Sequence, residues 1–326
     1  MTPEFSVIVP TRRDTPHLRA ALESVAGQAE DLEILLAHDR RGGEPELPAT
    51  LRTASRVRTL EVDGTGPAAA RNAALANARG RLIAFLDDDD LWLPGHLERA
   101  SARLARDPQA LLVATDAYVF VDPSPDGSAS PPSDPAGLPR FRPHRTGERL
   151  SMRELLLANA ILTPTVVLVR EHLATSHRFR TDLSVMEDYD LWLRLARDHL
   201  LLFDPVPQAV VRKRGGSASA DWRRMAEGSI RVLEGFLAQD LPEAVLTADE
   251  RRRRLGGLWH DLAYACLVEE DLPAARAALG RAVTHLPLRG KNYIYGLASL
   301  LPAPLRRALF SRGRRRLALT GYGATR

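Results

Sequence analysis

The chain has 326 residues, 44% of them hydrophobic and 26% charged, with a formal net charge of +4 at pH 7. A single cysteine, Cys266, excludes an intrachain disulfide framework and argues against a thiolate zinc site. No apolar run is long enough for a spanning helix, and the opening MTPEFSVIVPTRRD does not read as a secretory signal, so a cytoplasmic protein is expected.

In chain order, Phe5 to Val9 is a short apolar, β-branched run closed by Pro10, which predicts a buried strand. Thr15-Pro16 reads as an N-cap and first helical position, with Leu18, Ala21, Leu22 and Val25 on one face. Leu32 to Ala37 and Arg56 to Val62 predict two more strands, followed by a Gly64–Pro67 loop and an Ala-rich helix through Asn77. Arg81 to Leu86 predicts a fourth strand, Pro94 to Leu104 a helix and Leu111 to Val121 a long apolar strand. Strand–helix alternation at this spacing argues for an α/β domain with a mostly parallel sheet.

The stretch 122–147, rich in Pro, Ser, Gly and Asp, interrupts the pattern and predicts a flexible loop, either a lid or a plain excursion. Beyond it, Ser151 to Ala158 predicts a short helix, Thr163 to Val169 a strand, Asp188 to Arg197 a helix, and Leu200–Phe203 and Gln208–Val211 two short strands. From Asp221 onward the pattern is helical. Trp259 to Val283 reads as one amphipathic hairpin of tetratricopeptide type around Glu270-Asp271, with Cys266 on its apolar face.

Three segments carry chemistry. The strand ending at Leu86 delivers Asp87, Asp88, Asp89 and Asp90 to one edge of the sheet, where open α/β folds place ligands. Adjacent carboxylates repel, and a hard divalent cation would relieve that; an acidic turn opening the next helix would also explain them. Glu187, Asp188 and Asp190 stand at a helix start, as caps or as a general base lifted into a cleft. GTGPAAARN, 64–72, is a glycine-containing loop before a helix, able to receive a phosphate but lacking the Walker ending.

Together these residues resemble family 2 glycosyltransferases, inverting enzymes of the GT-A fold. The likeness covers roughly residues 4 to 214 and follows the family's motif order. SVIVPT (Ser6 to Thr11) looks like the opening strand and Asp39 the acidic end of the second strand. Ala70-Arg71-Asn72, the DXD segment Phe85 to Asp90 with Leu91-Trp92 and Pro94, and Glu187-Asp188-Tyr189-Asp190-Leu191-Trp192 follow in order. The resemblance implies a Rossmann-like mixed, mostly parallel sheet flanked by helices, with a helical C-terminal region. It divides the chain into a transferase domain, 1–216, and a helical region, 217–326.

It also implies the site. Asp188 would be the catalytic base, with Glu187 beside it. Pro10, Thr11, Asp39, Arg71, Asp87, Asp88, Arg212 and Arg214 would hold a nucleotide-sugar donor, and Asp89 with Asp87 would bind Mn²⁺ or Mg²⁺. The expected activity is inverting transfer of a sugar to an acceptor hydroxyl, polysaccharide or lipid-linked, in cell-envelope synthesis. Two readings compete: a nucleotidyltransferase, and a non-catalytic nucleotide-binding scaffold with a helical interaction tail. This chain departs from the family pattern at His38-Asp39-Arg40-Arg41, where a second acidic residue is usual, and at Val211 to Gly216, which has no His.

The C-terminal end is charged on one side only. From Leu286 to Arg326 there are nine basic residues and no acidic one, so the rest of the chain is net acidic. Only Lys213 and Lys291 are lysines, so arginine abundance is not taken as a sign of nucleic-acid binding. The segment 292–316 joins an apolar, tyrosine-containing stretch to Arg306, Arg307, Arg312, Arg314, Arg315 and Arg316. Two readings stand: peripheral contact with the inner face of a membrane, or Tyr293, Ile294, Leu297, Leu300 and Leu301 packing on the preceding helices.

Overall fold

The computed structural model describes residues 2–43, 45–48, 51, 56–63, 66–124, 126–142, 148–215, 220–239 and 245–310. The chain divides into two compact units. One is Met1–Phe120 with Pro131–Arg212, and the other is Val121–Ser130 with Lys213–Arg326. The second unit thus takes in a short segment that the sequence reading left inside the first domain.

The first unit is built on one mixed sheet. Its strands are β1 (Phe5–Thr11), β2 (Leu32–Asp39), β3 (Val57–Val62), β4 (Leu82–Phe85), β5 (Leu91–Trp92), β6 (Ala110–Val121), β7 (Arg149–Leu150), β8 (Val166–Val169) and β9 (Leu200–Lys213). Their order is β3-β2-β1-β4-β8-β6-β9-β5, with β7 also on β9. Strands β3, β2, β1 and β4 pair parallel, while β8 lies antiparallel to both β4 and β6. Every residue of β1 and of β4 is buried, as expected of interior strands covered on both faces.

Helices α1 (Pro16–Ala26), α2 (Pro67–Asn77), α3 (His96–Arg106), α4 (Met152–Leu157) and α5 (Glu187–Asp198) complete this unit. Thr15 caps α1 by accepting from the Leu18 amide, as its sequence position predicts. Two expectations differ in detail. Leu200–Phe203 and Gln208–Val211 are parts of the single strand β9, since Pro205 and Pro207 sit in a stretch that pairing with β5 and β7 still holds extended. Residues 163–165 form a 3₁₀ turn before β8 rather than strand, because Pro164 supplies no amide to a ladder.

Part of the Pro/Ser-rich stretch is anchored to β6. The Phe141 amide donates to Ala117 O, and the buried Asp116 accepts from Arg140 Nε and from the Arg142 amide, both at 2.8 Å. Residues 143–147 lie outside the described residues.

The second unit is helical: α6 (Trp222–Leu237), α7 (Ala248–Glu269), α8 (Leu272–His285) and α9 (Gly290–Ala298), then a helical stretch over 303–310. The α7–α8 hairpin turns at Glu270, in the left-handed region at φ 67°, and Asp271 caps α8 through the Ala274 amide. Cys266 is buried in this hairpin, and burial pushes its thiol up to about 11, which makes it an inert core residue. Helix α9 packs through Asn292, whose Oδ1 meets His260 Nδ1 at 2.6 Å, and through Tyr295, which stacks on His260. Tyr293, Ile294, Leu297, Leu300 and Leu301 are exposed, from 38% at Leu301 to 69% at Leu300. Among the described residues, no helix is long and apolar enough to cross a membrane.

Candidate active site

The order β3-β2-β1-β4 leaves β1 between strands reached in opposite directions, so a crevice opens beyond the C-terminal ends of β1 and β4. The chain places Thr11 on one side of that crevice and Asp87 to Asp90 on the other. Thr11 Oγ1 donates to Asp88 Oδ2 at 2.6 Å and closes the gap.

The four aspartates are not equivalent. Asp90 is buried and accepts from the Arg212 amide at 2.7 Å, while Arg212 Nε donates to Asp89 O. Arg212 therefore clamps the aspartate turn from β9, with its guanidinium 5.3 Å from the Phe120 ring centre. Asp87, Asp88 and Asp89 remain partly exposed.

Arg71, expected at the donor, is buried and bonded to carboxylates. Its Nη2 reaches Asp87 Oδ1 at 2.6 Å and its Nη1 reaches Glu187 Oε1 at 2.8 Å. Burial opposes its charge, but Asp87 and Glu187 hold its pKa above the ordinary arginine value. Arg71 thereby joins the aspartate turn to the start of α5.

Residue Met186 precedes α5 in the left-handed region, at φ 63°, although it is not glycine. That rarely adopted conformation immediately precedes the acidic pair. Glu187 is buried against Arg71, whereas Asp188 is partly exposed. Asp188 accepts from the Tyr189 amide at 2.7 Å and from Thr163 Oγ1 at 3.0 Å. Burial pushes its carboxyl up to about 6, the adjacent Glu187 adding to the rise while Arg71 and the two hydrogen bonds oppose it. A carboxylate poised near neutrality and reachable from solvent can act as a general base.

Aromatic packing fixes these parts. Asn72 pairs with the backbone of Phe179 in both directions, at 2.8 and 2.9 Å. The Phe179 ring meets Phe85 and Trp192 edge-on, and Arg71 lies over it at 5.4 Å. Trp92 Nε1 donates to Pro164 O at 2.7 Å, which secures the turn carrying Thr163. Thr163 and Phe179 were not legible as site residues: each is a single uncharged residue outside any charged motif.

Asp39 ends β2, one strand from β1, and its carboxylate accepts from the Arg41 amide and guanidinium. Those bonds to Arg41 lower its pKa to about 2. Asp39, Arg40, Arg41 and Asp63 line a shallow cleft of about 250 Å³. Gly42 is required there, because a Cβ would stand 1.7 Å from Arg12 O. His38 is buried in β2, and its Nδ1 has no partner. Pro10 is buried within β1, in register with Ala37. Arg214 belongs to the second unit, its side-chain carbons beside Gly127, and Gly64 lies outside the described residues.

No three His, Cys, Asp or Glu side chains among the described residues converge into a metal cage. The partly exposed Asp87, Asp88 and Asp89 are hard oxygen donors, and one or two carboxylates completed by phosphate oxygens is the usual arrangement for Mg²⁺. The residues therefore fit a cation that arrives with a diphosphate, and do not form a site independent of it.

Staphylococcus aureus TarS, residues 1–349, superposes with a TM-score of 0.59 at 18% identity, covering 95% of this chain and 87% of that one. The mannosyltransferase PcManGT from Pyrobaculum calidifontis, solved with GDP-Man and Mn²⁺, gives 0.56 at 20% identity, covering 98% and 86%. The fold is that of GT-A glycosyltransferases. An Escherichia coli enzyme, UDP-Glc:alpha-D-GlcNAc-diphosphoundecaprenol beta-1,3-glucosyltransferase WfgD, is 27% identical over 60% of this chain and 70% of its own length. Other relatives are much longer: the match to a Rickettsia bellii glycosyltransferase spans 29% of that protein, and the match to Bacillus subtilis GgaA spans 23%. The family model for glycosyl transferase family 2 matches residues 6–174, which is more than half of the chain. The chain belongs to glycosyl transferase family 2.

Proposed function

We propose that this enzyme moves a sugar from a nucleotide-sugar donor to an acceptor hydroxyl with inversion. The observation that carries the reading is Asp188, a partly exposed carboxylate that Thr163 orients and whose neighbour Glu187 is tied by Arg71 to the aspartate turn. In the reaction, the acceptor oxygen attacks the anomeric carbon, its proton passes to Asp188, and the bond to the diphosphate breaks. Displacement from the face opposite the leaving group requires one base, the role assigned to Asp188.

Asp87 and Asp89 would hold Mn²⁺ or Mg²⁺ together with the donor diphosphate. Such a cation neutralises the charge that develops on the leaving group. Arg212 holds the aspartate turn in place, and the cleft beside Asp39 suits a base or ribose. The WfgD likeness supports a lipid-linked acceptor, and the GgaA likeness supports an envelope polymer.

The deciding experiment is a panel of UDP-, GDP- and dTDP-sugars with and without Mn²⁺, assayed for the free nucleotide product. Release of nucleoside diphosphate that depends on acceptor is expected. Release of pyrophosphate would make the enzyme a nucleotidyltransferase. No release, and no thermal stabilisation by any nucleoside diphosphate, would make it a scaffold.

A further inference from the structure

Trp92 follows the aspartate turn in β5, but its indole reaches the turn beside Asp188. The side chain is buried, and its Nε1–H donates to Pro164 O at 2.7 Å across 72 positions of chain. The rest of the residue is fixed. Its amide donates to Ser24 Oγ at 3.1 Å, and β5 pairs Trp92 with Ala209 of β9. The His96 ring lies against the indole, with 4.5 Å between centres. His96 is fully buried and neither of its ring nitrogens has a partner, so it serves there as a flat neighbour.

The turn that Trp92 holds is short, Thr163–Thr165. Its inner bonds end on Leu162 O, which accepts from the Thr165 amide at 3.0 Å and from Thr165 Oγ1 at 2.8 Å. Those bonds set the shape of the turn but not its place relative to α5. The indole N–H supplies a fixed point from β5, and Thr163 on the same turn donates to Asp188 Oδ2 at 3.0 Å. The other oxygen, Oδ1, accepts from the Tyr189 amide of its own helix. One oxygen of the carboxylate is thus set by α5 and the other by the turn.

We propose that Trp92 is a positioning residue for Asp188: the indole N–H fixes the 163–165 turn, and the turn fixes the carboxylate through Thr163. The inference rests on Asp188 as the base of sugar transfer. It gives the aspartate turn and the base a second shared support, β5, beside the one that Arg71 provides. Glu187 on the same helix and Arg71 from α2 are the charged groups that bear on Asp188, and the substitutions below leave both in place.

The test is Trp92→Phe, which keeps an aromatic ring against His96 and removes the donor. The first readout is the carboxyl ¹³C titration of Asp188, assigned by its absence from Asp188→Asn. Its midpoint should rise by about half a pH unit, because a weakened hydrogen bond to the ionised form favours the protonated one. The second is the pH profile of kcat/KM, which should fall about threefold on its acidic limb and match the wild type at high pH. In a Thr163→Val background Trp92→Phe should move the midpoint no further, since the two act through one bond. Benzothienylalanine at position 92, isosteric with tryptophan but without the N–H, takes the place of Trp92→Phe if that variant does not fold. An unmoved midpoint, or an equal further rise in the Thr163→Val background, would overturn the proposal. The titration needs no turnover, so a moved midpoint in a protein that transfers no sugar would sink the sugar-transfer reading and leave the positioning of Asp188 standing.

Discussion

Arg71 and Glu187, 116 positions apart in the chain, meet at 2.8 Å in a buried ion pair. The other terminal nitrogen of the same guanidinium holds Asp87. One planar cation thus sets the spacing between the aspartate turn and the acidic helix start, a role that the two-pronged geometry of arginine suits and lysine does not.

Arg71→Met should leave Glu187 as an uncompensated buried charge. Losing one partner of a buried pair costs about 3–5 kcal/mol, and urea unfolding should report a drop of that order. Arg71→Lys should recover only part of it. An unchanged urea midpoint in both variants would show that the pair does not support the fold.

Asp188→Asn should lower turnover by roughly two to four orders of magnitude, with donor affinity little changed. It should also stabilise the protein near neutral pH. The native carboxyl holds its proton up to about pH 6, against an ordinary value of 3.8. Between those values the native state binds more protons than the unfolded state, so wild-type stability falls as pH rises. The variant lacks that loss, and thermal melts should separate above pH 6 and converge below pH 4.

Thr163→Val keeps the buried shape but removes the hydroxyl that favours ionised Asp188. The acidic limb of the rate profile should move upward from its wild-type position. Turnover should recover at high pH. A uniform loss at every pH would make Thr163 a packing residue only.

Asp89→Ala and Asp90→Ala should fail differently. Asp89 is partly exposed, and its loss should abolish metal-stimulated turnover while leaving the melting temperature nearly unchanged. Asp90 is buried, and its loss strands the Arg212 amide, costing about 1–3 kcal/mol of stability. Calorimetry and a Mn²⁺ titration of activity separate the two.

The sequence alone determined β1 to β4, because runs such as Val7–Val9 and Ile34–Ala37 are apolar and need no partner to be read. It determined the motif order, and with it the family, from residues that lie close together within each motif. The helix starts at Thr15 and Asp271 were equally local, since a cap bonds an amide three residues on. Only the tertiary structure decided which groups each charged residue meets. For Arg71, sequence shows the charge but not its two distant partners, Asp87 and Glu187. The burial of Asp90, and its bond from the Arg212 amide, become visible only in the fold. Thr163 carried no signal, for its function depends on a helix that begins 24 positions later. The outward face of α9 was undecided for the same reason: an amphipathic pattern names an apolar side, and only packing shows whether that side is covered.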